Sequence, residues 1–141
     1  MDQIAIAAQP AAADLLGRAR PGDGLLVASL VPAPSLHCAL TPEASAVLHD
    51  SLVRIVAAAV GTASAVAPWI HDAVLALMTA ASPEECRAAG AEVRARWHQK
   101  WQAPVTVVTG TATVDTTTPA SVAVCLAGAQ LGASKDACLH A

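Results

Sequence analysis

At 141 residues, 55% of them hydrophobic and 13% charged, the chain is long enough to bury one core, too short for two of ordinary size, and too apolar to stay disordered. A formal charge of −3 argues against a general nucleic-acid binder, which needs a basic surface to neutralise phosphates. The longest uncharged apolar run, 55–70, contains Gly61, Thr62, Ser64 and Pro68 and falls short of the roughly 20 residues that cross a bilayer. Asp2 follows Met1 with no basic and then apolar leader, so a single soluble, cytoplasmic domain spanning 1–141 is expected, with neither nucleic acid nor membrane as a partner.

The core has to be built from small side chains. There is no Phe and no Tyr, and alanine supplies about a quarter of the residues, leaving Leu, Val, Ile and three Trp to fill it. Such a core buries little area per residue, and association with copies of itself or with one protein partner would add to it. Cys38, Cys86, Cys125 and Cys138 form no Cys-x-x-Cys pair, which fits reduced, mostly buried thiols better than a disulfide framework or a zinc site.

In chain order, Gln3 to Ala8 alternates weakly as a short strand does, and Pro10 to Arg18 starts a helix at its proline and ends it near Gly17. The turn Pro21-Gly22-Asp23-Gly24 introduces Leu25 to Val31, an apolar run that reads as a buried strand, and prolines make 32–40 a loop. Thr41-Pro42 caps a helix over 42–60, along which Leu48, Leu52, Ile55, Val56 and Ala59 recur at helical spacing. Pro68 is expected to open a second, nearly all-apolar helix carrying Ile70, Val74, Leu77 and Met78.

Ser82-Pro83-Glu84-Glu85 is a capping box, and the helix it opens carries a stripe of Cys86, Ala89, Gly90, Val93, Trp97 and Trp101 up to Pro104. Val105 to Val114 alternates as a strand, with Thr109, Thr111 and Thr113 on one face and Val108, Ala112 and Val114 on the other. After a polar turn over 115–118, residues 120–131 fit a helix capped by Thr118 or a further strand, and from Gly132 the chain reads as a polar tail or half-turn. The sum is a small α/β or α+β domain, a few-stranded sheet covered by three consecutive helices between about 42 and 102; a mostly helical bundle is the alternative.

Two segments that follow strands are the candidate site. His37 and Cys38, in the proline-bounded loop, are the candidate catalytic residues; being adjacent in extended chain they point to opposite sides, so His37 cannot serve Cys38 as its base. Thr109, Thr111, Asp115, Thr116 and Thr118 are the candidate ligand-binding residues, offering hydroxyls and free amides to a polar or anionic ligand if a helix begins at Ala120. The histidines and cysteines show no metal-ligand spacing, so no metal is assigned and no cofactor follows.

Arg94, Arg96, Trp97, His98, Lys100 and Trp101 interleave bases with aromatics, but the two Trp continue the apolar stripe, which leaves the bases on a solvated face. His49-Asp50-Ser51 has a triad's residue types, yet three neighbours on one helix cannot converge on one another. The resulting expectation is a small-ligand-binding domain, an enzyme being one form of it, acting as a homo-oligomer. The alternative is a non-catalytic assembly subunit docking through alanine-rich helices and the Trp-bearing helix.

Overall fold

The computed structural model describes residues 12–32, 41–61, 64–69, 73–101 and 105–140. A short helix, α1 (12–18), leads into β1 (Gly24–Pro32), followed by α2 (Pro42–Val60), the strands β2 (Ala65–Pro68) and β3 (Val74–Met78), α3 (Pro83–Trp101), β4 (Val105–Thr113) and α4 (Ala120–His140). The strands form one antiparallel sheet in the order β2-β3-β1-β4. This is the expected α+β architecture, in which sheet and helices occupy separate layers.

Strand periodicity divides the core in two. Leu25, Val27 and Val31 of β1 pack with Leu75, Leu77 and Val108 against Ala12 and Leu15 of α1 and Ala123, Val124, Ala127 and Leu131 of α4. The alternate residues Leu26 and Ala28 pack with Val74, Ala76 and Met78 against Leu52, Ile55 and Val56 of α2 and Cys86, Ala89, Val93 and Trp97 of α3. Since both faces of β1 and β3 are covered, their sequences are near-continuous apolar runs rather than alternating ones.

That continuity accounts for one correction. The middle of the three expected helices, from Pro68, is instead the hairpin of β2 and β3, closed by a bond from Trp69 N–H to the Ala73 carbonyl of 2.9 Å. An apolar run buried on two faces has no one-sided period to tell strand from helix, and Pro68 ends an edge strand, where its missing N–H costs nothing. A second correction concerns the C-terminal segment. Residues 120–131 are helical, and the helix runs through Gly132 to His140 instead of giving way to a tail.

Other local expectations hold. Thr41 accepts from Ala44 N–H at the start of α2, and Ser82 and Glu85 exchange the two reciprocal bonds of a capping box at 3.0 and 3.1 Å. Buried Asp23 accepts from Arg20 N–H and Ala80 N–H, each at 2.9 Å, which ties the turn before β1 to the turn after β3. The expected strand at Gln3–Ala8 lies outside the described residues. Among the described residues no helix is long and apolar enough to cross a membrane.

Candidate functional site

Thr109, Thr111 and Thr113 project from β4 toward α3, as their alternation predicts, and form the floor of a cleft of about 350 Å³. Its wall is α3. Arg87 and Arg94 stand seven residues apart there, two helical turns or about 10 Å along one face, and Gln130 of α4 closes the far side. None of the described residues lining the cleft is acidic.

Close approach of α3 to β4 depends on Gly90, where a Cβ would lie 3.1 Å from Thr109 Oγ1. Arg94 donates to that same hydroxyl, while Thr111 N–H donates to Gln130 Oε1 at 2.9 Å. Arg87 meets Glu84 at 3.4 Å with both side chains exposed, a pairing too weak to withhold the guanidinium from a ligand. Cys86 also lines the cleft, but it is buried, and burial first and the neighbouring Glu85 second push its thiol above the ordinary value. A thiol held protonated is a packing group and a poor nucleophile.

The structure thus brings Thr109 and Thr111 together with two arginines and separates them from Asp115, Thr116 and Thr118, which lie in the turn between β4 and α4. The Asp115 carboxylate accepts from Thr117 N–H at 2.8 Å, Thr117 Oγ1 at 2.8 Å and Thr118 N–H at 2.7 Å. The amides that precede α4 are therefore occupied by the chain's own carboxylate. His37 and Cys38 lie outside the described residues.

Those bonds hold the Asp115 carboxyl below its ordinary value, the Thr117 hydroxyl contributing most and the two amides next. A lowered folded-state pKa means that the turn gains stability from the ionised carboxylate above the unfolded-state value of about 3.9, and loses it as pH falls through the lowered one. The Thr117 and Thr118 amide shifts, followed by NMR, are expected to titrate with a midpoint below 3.9; a midpoint above it contradicts the bonding described.

Arginines 87 and 94 and Gln130 were not among the residues the sequence singled out for the site. Arg94 was assigned to a solvated basic face, and the structure divides that face. Arg96 pairs with Glu92 at 3.3 Å and Lys100 lies 5.8 Å over the Trp101 ring, whereas Arg94 bonds to Thr109 of β4 and His98 lines a groove with Val105, Thr106 and Val107. The usable signal was the seven-residue spacing of Arg87 and Arg94, which places both on the stripe side of α3.

The two Trp of the stripe make contacts within the domain. Trp97 is 1% exposed and donates from Nε1 to the Val105 carbonyl, and Trp101 donates to Ser51 Oγ of α2. The three residues of the His49-Asp50-Ser51 run diverge, to the Ala73 carbonyl, to Arg54 and to Trp101. Among the described residues no group of three His, Cys, Asp or Glu is placed to hold a metal ion.

Fold and cleft define a small α+β domain with an arginine-walled cleft at one edge of its sheet. No protein-family model matches the sequence, and no curated protein does. Among solved structures it is similar to the GGDEF domain of FimX from Pseudomonas aeruginosa, at 18% identity over 96% of this chain and 87% of that one, with a TM-score of 0.70. It is also similar to the diguanylate cyclase SiaD of the same organism in complex with its activator SiaC, at 13% identity, 94% and 54% coverage and a TM-score of 0.73. The GGDEF domain of DgcB from Caulobacter crescentus in complex with c-di-GMP follows at 15%, 94%, 82% and 0.60. At these identities the likeness is one of fold, and this chain has the fold of those domains. The Gly-Gly-Asp-Glu-Phe string that spells their name does not occur in it, and it has no Phe at all.

Proposed function

We propose that this chain is a small-ligand-binding domain that takes an anionic ligand in the cleft between α3 and β4. The observation that carries this is the convergence of Arg87, Arg94 and the Thr109, Thr111 and Thr113 hydroxyls on one cleft with no acidic lining, within a chain whose net charge is −3. Guanidinium groups bind phosphate and carboxylate through charge-assisted bonds, and threonine hydroxyls donate the remainder. Similarly folded domains support a phosphate-bearing ligand, one having been determined with c-di-GMP. The string Gly-Gly-Asp-Glu-Phe does not occur here, so binding, rather than the cyclase activity named for one neighbour, is the role we assign.

Calorimetric titration of the full chain with c-di-GMP, a panel of mononucleotides and inorganic phosphate tests it. Arg94→Ala is expected to weaken the bound anion about tenfold or more, a charge-assisted hydrogen bond being worth roughly 1.5–3 kcal/mol, while circular dichroism stays that of the parent. Unchanged affinity in Arg94→Ala, or no binding of any of these anions by the parent, rejects the assignment.

A further inference from the structure

The sheet has two edges, and they differ in kind. β2 is four residues long and ends in a proline, two of the devices that keep an edge from pairing with another chain. β4 is nine residues long and has neither proline nor charge. Its register against β1 is unbroken from Gly24 opposite Thr113 to Pro32 opposite Val105, so no bulge turns it away.

The bond from Thr111 N–H to Gln130 Oε1 shows which backbone groups face outward. Strand residues direct their N–H and C=O to alternate edges, so Val105, Val107, Thr109 and Thr113 face outward together with Thr111. Among the described residues, Thr111 N–H is met there by Gln130 Oε1 and the Val105 carbonyl by Trp97 Nε1, while the outward groups of Val107, Thr109 and Thr113 have no partner. Gln130 supplies there the carbonyl that a neighbouring strand would supply.

This open edge forms the floor of a groove. The cleft with Arg87 and Arg94 runs along 109–113, and a second, of about 180 Å³, continues it along Val105, Thr106 and Val107 beneath Arg94 and His98. Together they span the strand's nine residues, roughly 26 Å, and no described residue lining either is acidic.

We infer that the β4 edge is a strand-addition site for an extended, acidic segment of a partner protein. Main-chain bonds to the outward groups would hold such a segment, and its carboxylates would meet Arg87, Arg94 and His98. A second copy of this chain fits less well, because a two-fold near Thr109 sets the Arg94 of both copies side by side. This site shares residues with the ligand cleft without depending on it, since it rests on the backbone edge rather than on the side chains.

The test uses the full chain and a fluorescein-labelled nonapeptide alternating threonine and glutamate, followed by anisotropy at low salt. Two N-methylated forms, one blocked on the threonine amides and one on the glutamate amides, separate the peptide's edges. One form is expected to lose about tenfold or more in affinity and the other to bind nearly as the parent does, because only one set of amides faces β4. Lysine in place of glutamate is expected to weaken binding about as much. Amide exchange at Val107, Thr109 and Thr113 is expected to be fast in the free chain and to slow when the peptide is added.

Absence of peptide binding, equal behaviour of the two methylated forms, or equal binding of the lysine peptide overturns the inference. So does slow exchange at those amides in the free chain. If that slow exchange depends on chain concentration, the occupant is a second copy; if not, the edge is covered by the chain itself. None of these outcomes bears on anion titration of the cleft, which stands or falls separately.

Discussion

Replacing Gly110 with alanine is expected to destabilise the domain by about 3 kcal/mol or more, at the upper end of what overpacking costs. A Cβ built there would lie 2.1 Å from the Ala127 carbonyl oxygen, 3.0 Å from Leu131 N and 3.1 Å from Ala127 C. All three atoms belong to the backbone of α4, so no rotamer change relieves the clash, and the helix must move away from the sheet. That movement would open the packing of Ala123, Ala127 and Leu131 against Val27 and Val108. Gly132→Ala is the control. Nothing lies within 4 Å of a Cβ there, and within a helix the change should be neutral or stabilise by up to about 1 kcal/mol. Urea denaturation of both variants checks the pair, and a Gly110→Ala midpoint equal to the parent's would show that α4 does not sit on β4 as described.

The second large effect is expected at Trp97. Its ring is 1% exposed and lies 5.8 Å from that of Trp101, and its indole N–H donates to the Val105 carbonyl at 2.9 Å. Truncation to alanine is expected to cost about 3–5 kcal/mol through lost burial and the cavity left behind. Trp97→Phe keeps most of the apolar volume but leaves the Val105 carbonyl without its partner, at a cost of about 1–3 kcal/mol. The two variants together separate packing from hydrogen bonding. Equal unfolding midpoints for them would mean that the indole bond contributes most of what Trp97 gives, whereas a Phe variant as stable as the parent would mean that the bond contributes nothing.

The two arguments differ in how far the sequence anticipates them. Trp97 is placed by the stripe from Cys86 through Val93, which already marks the buried face of α3. The need for glycine at 110 is invisible in a Val- and Thr-rich strand, because the atoms it would strike belong to a helix that begins ten residues later. The site divides the same way. Thr109 and Thr111 are legible from alternation along β4, but their partners Arg94 and Gln130 come from elements on either side of it, and no local pattern links the three. Asp115 and Thr118 read equally well as ligand groups or as a self-closed turn, and only the bonds from Thr117 and Thr118 to the Asp115 carboxylate distinguish the two.

By itself the sequence determined the elements whose signals are local: the caps at Thr41 and Ser82, the helices they open, the buried strand after the turn at 21–24, and the alternation of β4. These follow from hydrogen bonds and periodicities that act within a few residues. Tertiary structure decided the rest. An apolar run such as Val74–Met78 has no one-sided period, and became a strand because β1 and β2 supply its backbone partners while α2 covers one face and the cluster that includes Ala12 and Leu15 of α1 covers the other. The arginine-walled cleft and the open edge of β4 likewise depend on which strands end the sheet and which helix lies beside them, and that order is set by long-range pairing.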